Sequence, residues 1–223
     1  MEQYIVKILE AGFITHDVKR FVVERPPGYD FIPGQATEVS VNTPEWKNES
    51  RPFTFTGLRE WNYLEFMIKI YPKHNGVTKQ LGMANADGDE LIIRDVFGAI
   101  QYSKPGVFFA AGTGITPFVA IFRDLYKKKK LSGNKLIYSN KTSADVILKK
   151  ELIKMFDNDF ENIITREHVI GFMGKRIDRD FLIDHVKDFS QNFYVCGPDD
   201  FVKSITTYLQ DLGATADSIV IEQ

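Results

Sequence analysis

The sequence predicts two domains: an antiparallel β-barrel over residues 1–102 and an α/β domain with a five-stranded parallel sheet over residues 103–223. Three observations support this fold. The first hundred residues consist of short β-rich runs separated by proline and glycine turns. From Gly106 onward, apolar strands alternate with helical patterns, which is typical of a parallel sheet with crossover helices. The length of 223 residues fits two average domains or one large one, and the hydrophobic content of 43% is ordinary for a globular protein.

The barrel half is predicted from runs of β-branched and aromatic residues, which favour strands. Turn-forming pairs such as Pro33-Gly34 and Asp87-Gly88 separate these runs. A helix-like stretch over residues 78–85 follows Gly76 and interrupts the strands. The predicted strands cover residues 4–9, 18–24, 37–42, 52–57, 63–71 and 90–95.

The α/β half is predicted from buried-type strands that alternate with amphipathic stretches. The strands are expected at 107–111, 135–139, 162–166, 193–196 and 218–221. The helices are expected at 117–129, 146–156, 179–186 and 199–212. Gly213 follows the last helix, where a glycine commonly caps the C-terminus.

Composition excludes several classes of protein. With 28 Lys+Arg and 30 Asp+Glu the net charge is −2, so there is no electrostatic footprint for nucleic acid or an anionic membrane. The single cysteine, Cys196, excludes a disulfide within the chain, a zinc site of several cysteines and an iron–sulfur cluster held by this chain alone. The four histidines are scattered, and no metal-ligand spacing is found. No apolar run is long enough for a membrane span and no secretory signal is visible, so a cytoplasmic location is expected.

The strongest local motif runs from a predicted strand into a predicted helix over residues 110–117, Ala-Ala-Gly-Thr-Gly-Ile-Thr-Pro. Gly112 and Gly114 allow a ligand to approach the backbone closely, and the N–H groups of such a turn favour a pyrophosphate. Thr116 suits an N-cap and Pro117 the first helical position. The alternative is an ordinary glycine-rich turn, because the third glycine of the Rossmann fingerprint is missing.

A second motif, Cys196-Gly197-Pro198, also lies between a predicted strand and a predicted helix. Its thiol is expected at the carboxyl edge of the parallel sheet, on the rim that carries the first glycine motif. The alternative is a buried structural cysteine.

The barrel half contains two weaker motifs. Arg51 can hold a phosphate with its guanidinium fork, and Phe53, on the same strand face, can stack on a flat ring. Gly76-Val77-Thr78 is a second glycine-to-helix turn that suits a phosphate. The alternatives are an arginine on the barrel rim and a phenylalanine in the core.

In this order, the motifs resemble those of the ferredoxin–NADP reductase superfamily of flavoenzymes, over nearly the whole chain. Arg-Pro-Phe-Thr at 51–54 is similar to the family's flavin motif, with Phe53 in place of its tyrosine. Residues 67–71 and 76–78 resemble the strand and helix start that hold the flavin phosphates. Residues 112–117 resemble the nicotinamide-domain glycine motif, and residues 196–198 the Cys-Gly-Pro motif.

The resemblance implies an NAD(P)H-dependent flavoprotein reductase. It would pass a hydride from NAD(P)H to FAD and then single electrons to a separate acceptor such as flavodoxin or ferredoxin. The alternatives are an NADH-dependent cytochrome or small-molecule reductase, and a non-catalytic regulatory subunit on the same fold. FAD is favoured over FMN because the barrel offers two features suited to phosphate.

The resemblance also assigns roles to residues. Thr54 is expected near flavin N5 and Cys196 beside the nicotinamide ring, as the catalytic pair. Arg51 is expected at the flavin pyrophosphate, Thr78 at a flavin phosphate, and Thr116 where the two cofactors meet. The complete set of expected cofactor-binding residues is Arg51, Pro52, Phe53, Thr54, Ile68, Lys69, Tyr71, Gly76, Val77, Thr78, Gly112, Thr113, Gly114, Thr116, Pro117, Asn140, Lys141, Cys196, Gly197 and Pro198.

The choice between NADH and NADPH is expected to depend on the residues after the second parallel strand. No acidic residue ends this strand and no arginine follows it, although Lys141 offers a point charge to a phosphate. The pattern Asn140-x-Thr142-x-x-Asp145 resembles NADH-dependent cytochrome reductases and favours NADH. Alternatively, Asp145 caps the following helix and Asn140 satisfies a turn.

Overall fold

The computed structural model describes residues 2–98, 100–167 and 176–221. The chain divides into two compact units. The first comprises Met1–Gln101 with Thr116–Asp124, and the second comprises Tyr102–Ile115 with Leu125–Gln223. The limits of the functional domains, 1–102 and 103–223, stay a prediction.

The first unit contains a six-stranded antiparallel sheet with the order β4-β3-β6-β1-β2-β5. The edge strands of this sheet are β4 and β5. Just after β4, the Thr56 amide donates to the Glu65 carbonyl of β5 at 2.9 Å, which links the two edges as in a barrel. The predicted antiparallel architecture is therefore confirmed. The strands are β1 Gln3–Phe13, β2 Val18–Glu24, β3 Gln35–Val41, β4 Arg51–Thr54, β5 Tyr63–Lys69 and β6 Glu90–Gly98.

Strand alternation separates the core of the first unit from its outer surface. Phe21 of β2 pairs with Phe66 of β5, and both rings are fully buried in the apolar core. The neighbouring positions, such as Glu65, face the other way, since successive side chains of a strand point to opposite faces. Helix α1, Val77–Met83, packs Val77 and Leu81 into the same core. The Lys19 ammonium stabilises the end of α1 by donating to the Ala84 carbonyl at 2.6 Å.

The second unit is a five-stranded parallel sheet with the order β11-β10-β7-β8-β9, as predicted. On one face of this sheet, Phe109, Phe193 and Val195 form a core with apolar side chains of helices α4 and α5. The strands are β7 Gly106–Ala111, β8 Lys135–Asn140, β9 Phe160–Ile164, β10 Asn192–Cys196 and β11 Ile219–Ile221. The helices that follow α1 are α2 Thr116–Lys127, α3 Lys149–Phe156, α4 Arg179–His185 and α5 Asp199–Asp211.

Two predicted helix starts differ from the structure. Thr116 is the first residue of α2 and not its N-cap, because a 3₁₀ turn over Gly112–Ile115 leads directly into the helix. Helix α3 begins at Lys149 and not at residue 146. The reason is that Thr142 and Asp145 close a capping box around a separate 3₁₀ turn, and Leu148 then adopts a left-handed conformation with φ 55°.

The topology brings the predicted motifs of the second unit to one edge. Strands β7, β8 and β10 are parallel neighbours, so the segments that follow them emerge at the same carboxyl edge. Cys196, Ala110, Tyr138 and Asn162 lie in one row across the sheet. In the described ranges, no helix is both long enough and apolar enough to cross a lipid bilayer.

Candidate functional site

The glycine turn after β7 uses its two glycines for different purposes. Gly112 has φ +54°, a left-handed conformation that favours glycine, and a Cβ built there would meet no atom within 4 Å. At Gly114, a Cβ would lie 2.4 Å from the Cys196 carbonyl oxygen, so glycine is required for backbone packing. Thr113 lies between them and is partly exposed. The turn therefore presents an open backbone at Gly112 and a tightly packed one at Gly114.

Tyr138 fixes the start of this turn from the neighbouring strand. Its ring is fully buried, and its hydroxyl donates to the Gly112 carbonyl at 2.9 Å. Tyr138 is not among the residues predicted for the site. A tyrosine beside the apolar pair Leu136-Ile137, whose buried hydroxyl needs a partner, is the signal that points to it.

The loop after β10 packs against the glycine turn. The Cys196 side chain is buried, Gly197 is partly exposed and Pro198 is exposed. A Cβ at Gly197 would meet the Ala111 Cβ at 3.0 Å and a Phe201 ring carbon at 2.8 Å. The structure thus brings together the two motifs predicted for this rim, and Cys196 lies beside Gly114.

Asn140 ends β8 with a buried amide that lacks partners. The residue is 4% exposed, and neither its Nδ2 nor its Oδ1 has a hydrogen-bond partner among the described residues. Asn162 of β9 lies on the same face of the sheet as Asn140, and its buried Oδ1 also has no hydrogen-bond partner among the described residues. An unpaired buried polar group costs about 1–3 kcal/mol, which a ligand that bonds to it would recover. The amide of Asn140 therefore fits a role in holding a nucleotide.

The segment after β8 also contains an acidic group that the sequence analysis missed. The Ser143 amide donates to the Glu167 carboxylate at 2.7 Å, although the two residues are 24 positions apart. The hydrogen bonds from Ser143 hold the pKa of Glu167 below its ordinary value, so the carboxylate is charged at neutral pH. Lys141 is exposed nearby in the sequence. The segment after β9 thus places the Glu167 carboxylate beside the segment that follows β8.

In the first unit, Arg51 and Pro52 are exposed at the start of β4. The Arg51 guanidinium donates to the adjacent Ser50 carbonyl at 2.6 Å and forms no ion pair within the described ranges. Phe53 is half-buried against the barrel core. The guanidinium is therefore available to an anion, whereas only part of the Phe53 ring is open to a ligand.

Thr54 and Thr116 are brought into direct contact. Thr54 is 5% exposed, and its hydroxyl donates to the Thr116 hydroxyl at 3.1 Å. Thr116 is the first residue of α2 and is followed by the buried Pro117. Residues that the sequence places 62 positions apart thus meet in the first unit.

The remaining barrel residues differ in how a ligand can reach them. Ile68 is 1% exposed in the core, so only its backbone could contact a ligand. Lys69 pairs with Asp17 at 2.8 Å and lies over the ring of Tyr71, which is exposed. Their side chains line the outer surface of β5 and the loop after it.

The turn before α1 is open. Gly76 has an extended backbone with φ −162°, and a Cβ there would meet no atom within 4 Å. No side chain caps α1, and its first turn contains no acidic residue. Val77 is buried in the core, whereas Thr78 is partly exposed. This turn has room for a ligand group and no negative charge to repel one.

Known proteins resemble both halves of the chain. Residues 108–207 match the family model described as "Oxidoreductase NAD-binding domain". NADH-cytochrome b5 reductase 2 from Candida glabrata is 29% identical, over 96% of this chain and 80% of that protein. The electron transfer component of anthranilate 1,2-dioxygenase from Acinetobacter baylyi is 26% identical over 82% of this chain, and the match spans 54% of that protein.

Among solved structures, a ferredoxin NADP+ reductase from Neisseria gonorrhoeae with bound FAD and NADP superposes with a TM-score of 0.85. The superposition covers 100% of this chain and 98% of the other, at 21% identity, which establishes a shared fold. The order of the motifs, the two sheets and the match over residues 108–207 agree with one another. The chain is therefore similar to ferredoxin–NADP reductase-like flavoenzymes, in sequence through the oxidoreductase NAD-binding domain of residues 108–207 and in fold over its whole length.

Proposed function

We propose that the chain transfers a hydride from NADH to FAD and passes the electrons singly to a separate protein such as flavodoxin or ferredoxin. When bound, the flavin accepts two electrons and a proton as a hydride and can release the electrons one at a time. The observation that carries the proposal is the orphaned amide of Asn140, because it lies at the rim that also holds the Gly112 turn and Cys196. The chain's own task is to bind and orient the two cofactors.

The predicted barrel domain, residues 1–102, is proposed to hold the flavin. Arg51, which forms no ion pair with any described residue, would donate from its guanidinium to the pyrophosphate, and Thr78 would offer its hydroxyl to a phosphate at the open Gly76 turn. Phe53, which packs against the barrel core, would stack on the flavin with its exposed part, and Thr54 would lie near N5. Pro52, Ile68, Lys69, Tyr71 and Val77 shape this side.

The predicted α/β domain, residues 103–223, is proposed to hold the nicotinamide nucleotide. The open Gly112–Thr113 backbone faces the pyrophosphate, and Asn140 donates from its buried amide. Cys196 orients the nicotinamide ring, with Gly197 and Pro198 beside it. None of these groups needs to act as a general acid or base, since the hydride moves between the cofactors.

NADH is proposed as the preferred donor because Glu167 places a carboxylate beside Ser143, in the segment after β8. The 2′ position of adenosine is read in this segment, where a carboxylate accepts a hydrogen bond from a hydroxyl and repels a phosphate. Lys141 is the one nearby cation in the sequence 139–145 that could oppose this effect.

A cytochrome is the second candidate acceptor. The observation that favours it is the similarity to an NADH-cytochrome b5 reductase over 96% of this chain. A one-electron carrier protein is common to both candidates.

The test is steady-state turnover of the FAD-loaded protein with flavodoxin, ferredoxin or cytochrome b5 as the acceptor and NADH or NADPH as the donor. The proposal predicts a higher kcat/KM for flavodoxin or ferredoxin than for cytochrome b5, and a higher kcat/KM for NADH than for NADPH. Faster reduction of cytochrome b5 would select the second candidate. A tenfold preference for NADPH, about 1.4 kcal/mol, would overturn the assignment of the donor.

A further inference from the structure

A network of four alternating charges, Glu10, Arg20, Glu65 and Arg123, crosses the outer face of the barrel. The Glu10 carboxylate accepts from Arg20 at 2.8 Å, and Arg20 also donates to Glu65 at 2.6 Å. Glu65 in turn pairs with Arg123 of α2 at 2.5 Å. All four residues belong to the first unit, and the exposed side chain of Glu10 lies at the far end from α2.

Glu65 is the most deeply buried of the four residues in this salt-bridge network. Its side chain is 2% exposed, although its position on β5 faces away from the barrel core. It also accepts a hydrogen bond from the Thr56 hydroxyl at 2.8 Å. Burial alone would raise the pKa of Glu65, but the two arginines and Thr56 lower it overall, so the carboxylate is charged at neutral pH. A buried carboxylate with this many donors holds them in defined positions.

Arg123 is tied to the barrel at three points. Besides Glu65, its guanidinium donates to the Thr56 carbonyl at 2.8 Å and lies over the Trp61 ring, 5.3 Å from its centre. The guanidinium is a planar fork, which suits simultaneous contacts to a carboxylate, a carbonyl and an aromatic face. This end of α2 is therefore fixed in both distance and orientation.

The two attachments of α2 lie on one face of the helix. Thr116 and Arg123 are seven residues apart, which is close to two helical turns. Their partners, the Thr54 hydroxyl and the Thr56 carbonyl, are two residues apart in the chain. Helix α2 therefore contacts the segment 54–56 at two places. The contact through Thr116 is a single hydrogen bond, whereas Arg123 makes several contacts.

We infer that Glu65 and Arg123 are a positioning pair that holds helix α2 on the barrel so that Thr116 stays against Thr54. The inference rests on the proposed function, which places Thr54 at flavin N5, and Thr116 bonds directly to Thr54. Neither Glu65 nor Arg123 touches a reacting atom. They act through the helix, and their loss lets Thr116 shift relative to Thr54.

The test compares two arginines that bind the same carboxylate. Arg123→Met and Arg20→Met each leave Glu65 with one arginine, but only Arg123→Met releases α2. Glu65→Gln keeps the volume of the side chain, and Glu10→Gln alters only the exposed end. For each full-length variant, amide hydrogen exchange of residues 112–124 is measured without flavin, and the anaerobic rate of flavin reduction by NADH is measured after loading with FAD.

The inference predicts faster exchange in residues 116–124 for Arg123→Met and Glu65→Gln than for Arg20→Met. Flavin reduction should slow by about 10- to 100-fold in the first two variants, since small misplacements of reacting groups have effects of this size. Arg20→Met should melt earlier than the wild type yet reduce flavin within about twofold of its rate, and Glu10→Gln should match the wild type. Arg123→Lys, which keeps the charge but not the fork, should fall between Arg123→Met and wild type.

Equal exchange and equal reduction rates in Arg123→Met and Arg20→Met would overturn the inference. If Arg123→Met does not fold, the same comparison of Glu65→Gln and Arg123→Lys with Arg20→Met decides. A wild-type protein whose flavin is not reduced by NADH would overturn the proposed function instead, while the exchange data would still show whether the pair holds α2.

Discussion

The two glycine-containing turns differ in why they contain glycine. At Gly114, a side chain would collide with the backbone of Cys196, so packing within the protein explains the residue. At Gly76, the backbone is extended and the space around it is open, so neither conformation nor packing requires glycine. A glycine that the folded chain does not need is the better indicator of close approach by a ligand. Gly76, in the motif Gly76-Val77-Thr78, is therefore more informative about ligand binding than Gly114.

The largest expected effect is the loss of stability in Gly114→Ala. The new Cβ would lie 2.4 Å from the Cys196 carbonyl oxygen and 2.6 Å from the Gly197 Cα, and these are backbone atoms that cannot rotate away. Overpacking of this kind costs about 1–3 kcal/mol or more. Urea unfolding measures the change, and Gly12→Ala, where no atom lies within 4 Å, is the control. Equal stability of the two variants would contradict the packing argument.

Removal of the Arg51 guanidinium should weaken FAD binding. Loss of charge-assisted hydrogen bonds to a phosphate costs about 1.5–3 kcal/mol, or roughly 10- to 150-fold in Kd. Fluorescence titration of the flavin-free Arg51→Ala protein measures the change. Arg59→Ala is the control, because Arg59 is an exposed arginine of the same unit that already pairs with Asp30. If Arg51→Ala keeps stoichiometric flavin through dialysis, Arg51 does not hold the flavin.

Cys196→Ser should slow the reduction of flavin by NADH without changing the affinity for FAD. The thiol is buried at the rim beside Gly114, and a hydroxyl in its place is smaller and more polar. A decrease of about tenfold corresponds to about 1.4 kcal/mol of lost transition-state stabilisation. Stopped-flow reduction at the wild-type rate would remove Cys196 from the mechanism.

Gly76→Ala should weaken FAD binding while leaving the free protein as stable as the wild type. The side chain fits the free protein, so any penalty arises when the ligand approaches the turn. About 1 kcal/mol, roughly fivefold in Kd, is expected for one displaced contact. An unchanged Kd would mean that the open space at Gly76 does not receive the flavin.

The smallest expected effect concerns Glu167. Glu167→Gln keeps a hydrogen-bond acceptor for the Ser143 amide but removes the charge that opposes a 2′-phosphate. Solvent and salt screen this charge, so the NADH preference should fall by only about two- to fivefold at low salt. The ratio of kcat/KM for the two donors measures it, with Glu161→Gln as a control on β9, because Glu161 pairs with His185. An unchanged ratio would remove Glu167 from donor selection.

The sequence predicted the two sheets because strand and helix periodicity is local. It misplaced the start of α3, where the cause is also local. Helix α3 starts later than predicted because Asp145 closes a capping box with Thr142. Both residues belong to the sequence motif Asn140-x-Thr142-x-x-Asp145.

The missed site residues all contact partners that are far away in the sequence. Tyr138 contacts Gly112 across 26 positions, Glu167 contacts Ser143 across 24, and Arg123 contacts Glu65 across 58. Local patterns carry no information on such pairs. The order of the motifs nevertheless identified the rim correctly, because parallel strands must bring their carboxyl ends to the same edge.

The visible spectrum of the protein tests most directly whether this chain is a flavin-containing reductase driven by reduced nicotinamide. The FAD-loaded protein is mixed anaerobically with one equivalent of NADH while flavin absorbance is recorded. The account predicts a yellow protein that bleaches and regains its colour when a one-electron acceptor is added. A protein that retains no flavin, or one whose flavin stays oxidised with excess NADH and NADPH, would contradict it.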